Sequence, residues 1–255
     1  MKKILLFILF LWVKQTNSQI ITTIAGNGTC CNPVNGGQAT ASSIYYPNGV
    51  FVDASGNIYI SESNQIRKVN TSGIISIIAG STGGYSGDGG PAINAKLNSI
   101  AVTVDNTGNI YTADWFHHVI RKINSSGIIS TVAGKNGAGG FSGDGGQATN
   151  AELDGPYGVA VDASGNLYIA DTDNGRIRKV NSAGIITTIA GNGTCDSIGD
   201  GGPATAASLC GPIGITLDAA GNLYISDRQN NRIRKVDTTG IISTVAGNGT
   251  GGFSG

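Results

Sequence analysis

The chain has 255 residues, including 41 glycines and only 6 prolines, and its formal net charge at pH 7 is zero. Only 13% of the residues are charged, so the chain lacks the basic footprint of nucleic-acid binding and has no basis for electrostatic docking to anionic lipid. Many glycines with few prolines favour a fold rich in tight turns over a disordered linker.

The segment 1–18 has the pattern of a secretory signal peptide. Lys2 and Lys3 precede an apolar run over residues 4–13, and a polar stretch ends at Ser18, a small residue. The run is shorter than the roughly 20 residues of a membrane-spanning helix. We expect cleavage there and a secreted or cell-surface protein without membrane insertion. The alternative is an uncleaved N-terminal anchor.

From residue 20 onward the chain repeats one unit at a nearly constant interval. An Ala-Gly pair closes one strand of each copy, and its glycine recurs as Gly26, Gly80, Gly134, Gly191 and Gly247. Repeats with a fixed period bury their apolar faces against their neighbours. We expect one repeat domain over residues 19–255, with repeats at about 20–73, 74–127, 128–184 and 185–240 and a partial one at 241–255.

Each copy contains four short segments of alternating pattern, which predict four antiparallel strands. In the third copy they cover residues 158–162, 167–171, 176–180 and 185–190. Turn sequences rich in Asp, Asn and Gly separate them. Such units predict an all-β fold, a β-propeller with one four-stranded blade per repeat.

The segment from Pro156 to Asp171, followed by Asn174-Gly-Arg-Ile-Arg-Lys179, resembles an NHL repeat. The longer unit, in which Gly143-Asp-Gly-Gly146 precedes that segment, is similar to the repeats of teneurin-like NHL propellers and of many bacterial exported proteins. Four full matches carry this resemblance, which extends over about residues 20–255. It implies a β-propeller, most often six-bladed in this family, with a binding role.

Four complete blades predict an open or truncated arc of such a larger propeller. Residues 251–255 repeat the sequence of residues 139–143, which lie in the middle of a loop, as a fragment of a longer gene product would. Residues 20–25 have the sequence of a fourth strand without a blade of its own, and the last blade already has its fourth strand at 241–246. We expect exposed end blades that permit self-association.

Ionisable residues that recur in every blade favour structural roles. Arginines on the third strand are placed to pair with acids at the end of the second, and an aspartate begins each first turn. The arginines are Arg67, Arg121, Arg178 and Arg234, and the acids are Asp114, Asp171 and Asp227. Recurrence favours a ladder of structural pairs over a ligand-binding ring.

The crossovers between blades are long and share a Gly-Asp-Gly-Gly element, whose carboxylates are Asp88, Asp144 and Asp200. We interpret this element as a turn followed by one helical turn that packs a leucine between blades. A calcium or anion site is the alternative. One carboxylate per loop is few for calcium, which binds six to eight oxygens. We therefore expect no metal.

One loop on the loop-rich face departs from the repeat. Where the third copy has Thr172-Asp-Asn-Gly175, the second has Trp115, Phe116, His117 and His118. An exposed Trp-Phe pair suits a binding hot spot or a sugar-stacking platform. The alternative is that both rings fold back over a neighbouring crossover. The two histidines would need distant carboxylates to hold a metal.

The four cysteines are Cys30, Cys31, Cys195 and Cys210. In an exported chain an even number permits disulfides. Cys195 and Cys210 lie in one inter-strand loop, which favours a local bridge, although all four could also be free. A zinc site is disfavoured because no Cys-x-x-Cys pair is present.

These patterns favour a non-catalytic binding module. Two histidines and the two glutamates Glu62 and Glu152 are few for the metal site of a propeller hydrolase or lyase. No Gly-x-Ser-x-Gly element stands in a strand-turn-helix context. We expect an exported module without enzymatic activity or cofactor, whose loop-rich face binds a protein or glycan. A structural spacer within a larger surface protein is the first alternative, and a propeller hydrolase or lyase is the second.

Overall fold

The structure is a computed structural model that describes residues 20–29, 33–137, 139–196 and 198–252. The expected signal peptide, Cys30, Cys31 and residues 253–255 lie outside the described residues. Within the described ranges, no helix is long and apolar enough to cross a membrane.

The described residues form short strands separated by turns and five single-turn 3-10 helices. The strands are β1 (Gly37–Gln38), β2 (Gly49–Val52), β3 (Ile58–Ser61), β4 (Ile66–Val69), β5 (Ile74–Ala79), β6 (Ser99–Val104), β7 (Ile110–Asp114), β8 (Val119–Ile123), β9 (Ile129–Ala133), β10 (Pro156–Val161), β11 (Leu167–Asp171), β12 (Arg176–Val180), β13 (Ile186–Ala190), β14 (Pro212–Leu217), β15 (Leu223–Asp227), β16 (Arg232–Val236) and β17 (Ile242–Ala246). The 3-10 helices are Ala39–Ala41, Ala92–Asn94, Trp115–His117, Ala148–Asn150 and Ala204–Ala206.

These strands form four antiparallel sheets, in each of which neighbouring strands follow one another in the chain. The sheets are β2 to β5, β6 to β9, β10 to β13 and β14 to β17, and β1 adds a short outer strand beside β5. The inner strands β2, β6, β10 and β14 lie next to one another in that order. The predicted all-β propeller with four blades is thereby confirmed.

An aspartate closes the first turn of each blade. In the third blade, Asp162 accepts hydrogen bonds from the backbone N–H groups of Ser164 and Asn166, from the Asn166 side chain at 2.7 Å and from the Tyr168 hydroxyl at 3.2 Å. Gly165 completes the turn with a φ of +81°, which favours glycine. This short turn holds β10 and β11 together on the face opposite the crossovers.

Apolar clusters fill the space between successive blades. Between the second and third blades, Ile120 and Ala133 pack with Leu153 of the crossover and with Leu167 and Ile169 of β11. Leu153 is completely buried, as are its counterparts Leu97 and Leu209. Burial of one such leucine contributes about 1.5–3 kcal/mol to stability. Each crossover is thus part of the core that joins its two blades.

The arc is open, as the sequence predicts. Val50 and Val52 of β2 are exposed, whereas the corresponding Ile215 and Leu217 of β14 pack against the third blade. At the other end Ile233 is exposed, although its counterpart in β12 is completely buried. The first and last blades each present one face that no other described blade covers.

The prediction of a fourth-type strand at residues 20–25 is wrong. This segment forms no strand, and Ile20, Ile21 and Ile24 are exposed. The N–H of Gly26 still donates to the Ala39 carbonyl at 3.0 Å, as the repeat requires. The segment therefore reaches the position of a fourth strand, but among the described residues no third strand lies beside it to complete a ladder.

Candidate functional site

The loop-rich face is held to the blades by a completely buried arginine in each blade. In the third blade Arg178 lies 3.1 Å from Asp171 of its own sheet and 2.8 Å from Asp144 of the preceding crossover. In the fourth blade Arg234 contacts Asp227 at 3.2 Å and Asp200 at 2.8 Å. One guanidinium thus joins the second strand to the crossover, because its planar fork can reach two carboxylates.

In the third blade, the buried acid at the end of the second strand accepts further hydrogen bonds. Asp171 accepts hydrogen bonds from the backbone N–H of Asp154 at 2.7 Å and from the Asn174 side chain at 2.9 Å. Burial raises the pKa of Asp171 to about 6, although these bonds and Arg178 act in the opposite direction. Asp171 thereby fixes the crossover and the loop between strands two and three in one arrangement.

The three aspartates of the crossovers, which were the weak calcium candidates, each contact an arginine: Asp88 with Arg121, Asp144 with Arg178 and Asp200 with Arg234. Burial raises the pKa of Asp88, but hydrogen bonds and the Arg121 charge together outweigh this effect and lower the pKa below its ordinary value. In the part of the chain that the structure describes, no group of three His, Cys, Asp or Glu side chains is arranged to hold a metal ion.

The loop of the second blade that differs from the repeat places its two aromatic rings at the surface. Trp115 is 42% exposed and Phe116 is 64% exposed. Their ring centroids lie 5.9 Å apart in an edge-to-face arrangement. We call Trp115 and Phe116 the aromatic patch. A 3-10 helix over Trp115–His117 gives this patch a defined backbone.

The two histidines of this loop contact the protein. The Nδ1 atom of His117 lies 2.8 Å from Oδ1 of Asp114, where Asn174 and Asn230 donate to the corresponding acids in the next two blades. His117 therefore takes over a structural hydrogen bond. Sequence analysis missed this role, although aligning the four loops residue by residue would have indicated it.

His118 joins the second blade to the loops of the third. It has a φ of +58°, close to the +59° of Gly175 at the same position. Its Nδ1 atom lies 3.1 Å from the N–H of Gly155 and 3.2 Å from Asp154 Oδ1. The N–H contact requires an unprotonated Nδ1 and the ion pair requires a protonated one, so these two contacts are alternatives.

The acids near His118 affect one another. Burial and the Asp154 carboxylate raise the pKa of Asp173, which lies in the loop between strands two and three of the third blade.

The mouth of the central channel on this face is a cavity of about 300 Å³. Its outermost lining residues, which we call the channel rim, are Asn48 just before β2 and Ile100, Tyr157 and Ile213 near the starts of β6, β10 and β14. None of these side chains is a carboxylate, an imidazole or an amine. The rim offers apolar contact and a few neutral hydrogen-bonding groups.

Cys195 and Cys210 form a disulfide, with their Cα atoms 4.5 Å apart. The N–H of Cys210 also donates to Asp227 at 2.7 Å. The bridge therefore connects the variable part of the last crossover to the anchored end of the same crossover.

A second concave site lies on the first blade. It is a cavity of about 280 Å³, lined by Pro33, Ser43, Tyr45, Glu62, Asn64, Gln65 and Ser81. Sequence analysis did not identify this site.

Four-stranded blades, long crossovers on one face and short Asp-Asn turns on the other define an NHL-type β-propeller. The chain belongs to the family of teneurin NHL domains: the model of the Teneurin NHL domain matches residues 11–86, 138–198 and 192–251. The resemblance inferred from the repeats is confirmed.

Relatives from animals match most of this chain. Teneurin-4 from Mus musculus is 32% identical over 253 residues, and Teneurin-1 from Homo sapiens is 30% identical over 254 residues. Each match covers 86% of this chain and 9% of the relative. The chain therefore spans about 9% of the length of these curated relatives.

Solved structures share the fold at low sequence identity. Virginiamycin B lyase from Staphylococcus aureus superposes with a TM-score of 0.52 at 18% identity, covering 78% of this chain and 54% of the lyase. An auxiliary nutrient binding protein from Bacteroides ovatus gives a TM-score of 0.60 at 20% identity, covering 80% of this chain and 50% of that protein. These similarities concern the fold alone.

Proposed function

We propose that this chain is an exported, non-catalytic propeller module that binds a protein or glycan through its loop-rich face. The observation that carries the proposal is the aromatic patch, two adjacent rings that are 42% and 64% exposed. Aromatic side chains dominate binding hot spots because they bury a large area at a small cost in conformational entropy. Membership of the teneurin NHL family supports a propeller module as the frame of the site.

A hydrogen bond and a ring contact hold the aromatic patch in place. His117 bonds to the buried Asp114, and Asp114 also accepts the N–H of Asn98 at 3.3 Å. Phe116 packs edge-to-face on the His117 ring, with centroids 5.4 Å apart. A preorganised aromatic surface loses little freedom on binding, which favours affinity.

Three observations support a non-catalytic role. The channel rim carries neutral side chains, the crossover aspartates bond to arginines, and His117 bonds to a buried acid. The lyase with the same fold is only 18% identical, so its activity does not transfer to this chain. A hydrolase or lyase remains the second alternative, tested by assaying the purified chain for lactone hydrolysis and streptogramin cleavage.

Export is supported by the signal-peptide pattern of segment 1–18 and by the Cys195–Cys210 bridge, since disulfides persist in oxidising compartments. The structural alternative, a spacer within a larger surface protein, is supported by the 9% coverage of the teneurin relatives. A spacer would need no exposed aromatic pair on its loops.

The test replaces Trp115 and Phe116 by Thr and Asp, which occupy the same two positions in the third blade. A fluorescently labelled chain is added to intact animal cells, with Ile93→Ala as a control at another exposed apolar residue. We expect binding that W115T/F116D reduces at least tenfold and that I93A leaves unchanged. Prior protease treatment of the cells abolishes binding to a protein, and glycosidase treatment abolishes binding to a glycan. Equal binding by W115T/F116D and wild type would overturn the proposal.

A further inference from the structure

His117 has one structural contact and one free ring nitrogen. Its Nδ1 atom lies 2.8 Å from Oδ1 of Asp114, at the position where Asn174 and Asn230 donate to the corresponding acids. A carboxylate only accepts hydrogen bonds, so Nδ1 carries the proton of the neutral imidazole and the other nitrogen, Nε2, is an acceptor. An asparagine here would keep the bond to Asp114, but its shorter side chain would place no acceptor at the position of Nε2.

The Nε2 atom of His117 is accessible from outside the protein. It makes no hydrogen bond to any residue that the structure describes, and it is not one of the buried side-chain atoms without a partner. The side chain as a whole is only 17% exposed. A largely covered imidazole thus keeps its acceptor at the surface, next to Phe116, which is 64% exposed.

Three contacts fix the direction of this acceptor. The bond to Asp114 holds one side of the imidazole. The Phe116 ring meets the imidazole edge to face with centroids 5.4 Å apart, and the Tyr85 ring lies against it with centroids 5.7 Å apart. Tyr85 is itself held, because its hydroxyl lies 2.8 Å from Oγ1 of Thr131. The acceptor is therefore preorganised, and a ligand that bonds to it need not order the side chain first.

The charges around His117 disfavour an anionic ligand group. Asp114 contacts His117, and Asp88 bonds to Tyr85, while Arg121 supplies a single positive charge that is paired with Asp88. The local sum is therefore negative while His117 is neutral. A carboxylate or sulfate also has no hydrogen to donate to the lone pair of Nε2. The group that suits this acceptor is an uncharged N–H or O–H donor.

The aromatic patch forms a ridge rather than a flat platform. The rings of Trp115 and Phe116 meet at 80°, and those of Phe116 and His117 meet at 78°. A sugar chain stacks best across ring faces that lie in one plane, whereas an apolar side chain of a protein packs between inclined rings. A polypeptide also carries a main-chain N–H beside each such side chain. The arrangement therefore favours a protein over a glycan.

We propose that Nε2 of His117 is the hydrogen-bond acceptor of the aromatic patch, and that its partner is an uncharged amide N–H of a polypeptide whose apolar side chain packs against Trp115 and Phe116. His117 then has two roles, a structural one through Nδ1 and recognition of the ligand through Nε2. This inference rests on the proposed function, because it concerns the same patch. It adds the class of the partner and the group that is recognised.

Two substitutions separate the two ring nitrogens. His117→Asn keeps a donor to Asp114 and removes the acceptor, so its urea midpoint should match that of the wild type while its affinity for intact animal cells falls about tenfold. His117→Gln should show the reverse, since its amide oxygen can reach the place of Nε2 but its bond to Asp114 is lost. Its urea midpoint should fall while it still binds the cells. Flow cytometry of the labelled chains measures the affinity, and I93A should leave it unchanged.

The tautomer of His117 is measured without a ligand. Long-range 1H–15N spectra of the 15N-labelled chain at neutral pH distinguish a protonated ring nitrogen from an unprotonated one. The chain has only two histidines, so the signals that are missing from H117N belong to His117. We expect a proton on Nδ1 and none on Nε2. A protonated Nε2 would overturn the inference, whatever the cells show.

The remaining outcomes separate this inference from the proposed function. Protease treatment of the cells should abolish binding and glycosidase treatment should not. The opposite result would overturn the inference alone, and so would H117N that binds like wild type while W115T/F116D does not. Equal binding by W115T/F116D and wild type would overturn both. If H117N does not fold, H117Q decides, because an affinity as low as that of W115T/F116D would contradict an acceptor at Nε2.

Discussion

His117 and Asp114 are joined through Nδ1 and Oδ1 at 2.8 Å, and this contact replaces the amide-to-carboxylate bond that Asn174 makes to Asp171 one blade later. Burial raises the pKa of Asp114, while His117 lowers it. The exposed ring of Phe116 thus stands directly beside a residue that stabilises the fold. Substitutions in this loop must be designed so that loss of binding and loss of stability are separated.

Replacing His117 by Ala should lower the free energy of unfolding by about 1–3 kcal/mol, because Asp114 would lose its side-chain donor in a buried site. The free energy of unfolding of His117→Asn should stay close to that of the wild type, since an asparagine donates the corresponding hydrogen bond in the third and fourth blades. Urea unfolding followed by circular dichroism measures both. Equal losses in the two variants would show that the imidazole ring, rather than the hydrogen bond, is required.

Arg178 should be far more important for stability than its neighbour Lys179. Arg178→Ala leaves Asp171 buried without its cation, and removal of one partner from a buried pair costs about 3–5 kcal/mol. Lys179 is half-buried with its Nζ atom 5.2 Å from the Tyr168 ring centroid, an interaction of about 0.5–1 kcal/mol. The urea midpoints of R178A and K179A test this difference. Similar small shifts would contradict a structural role for the arginine.

Asp105 should make stability depend on pH in the acid range. Burial raises the pKa of Asp105, but hydrogen bonds from Asn109 and Thr107 outweigh this effect and hold the pKa at about 2. The unfolded chain titrates near the ordinary value of about 3.9. The stabilisation is therefore present above pH 4 and is lost as the pH falls through 2, because the unfolded state then binds the proton more readily.

The measurement compares wild type with Asp105→Asn by urea unfolding at pH 7, 4, 3 and 2. The variant should be less stable at pH 7, and the difference should shrink as the pH falls. A difference that stays constant down to pH 2 would show that Asp105 does not titrate in this range.

The Cys195–Cys210 bridge closes a sequence separation of 15 residues. A loop of that length predicts about 3 kcal/mol of stabilisation from the restricted unfolded chain. Cys195→Ser and Cys210→Ser should therefore lower the urea midpoint equally, and the double variant should lose no more than either. Dithiothreitol should lower the midpoint of the wild type toward that of the variants. A double variant with an unchanged midpoint would contradict this stabilisation.

Much of the fold could be predicted from the sequence because each blade repeats the same alternation and the same turns. The segment predicted at residues 167–171 is β11 to the residue. Residues 20–25 carry an equally good strand pattern and form none, because a strand needs a hydrogen-bonded partner that local sequence cannot reveal.

The site was less predictable. The sequence identified Trp115 and Phe116 as unusual, but whether the rings lie outward or fold back depends on tertiary packing. The short loop between Glu62 and Arg67 is visible in the sequence. The cavity beside this loop cannot be predicted from the sequence, because its shape depends on the tertiary packing of Tyr45 and Gln65.

The contact between Asp144 and Arg178 has a consequence for engineering. It fixes the far end of a crossover, while the N–H of Gly134 fixes the near end by donating to Ala148 at 2.9 Å. The residues between Gly134 and Asp144 therefore form a closed display segment. Its residues 140–142 also bond to the blade, since the Gly140 carbonyl accepts from Asn174 at 2.7 Å and the Ser142 carbonyl accepts from Arg178 at 3.0 Å. Residues 135–137 are therefore the part that can change with the least effect on either anchor. The corresponding segments from Gly80 to Asp88 and from Gly191 to Asp200 differ from it in length, so the repeats of this chain already vary here. Randomising such segments in adjacent blades would turn the arc into a scaffold for selected binding surfaces.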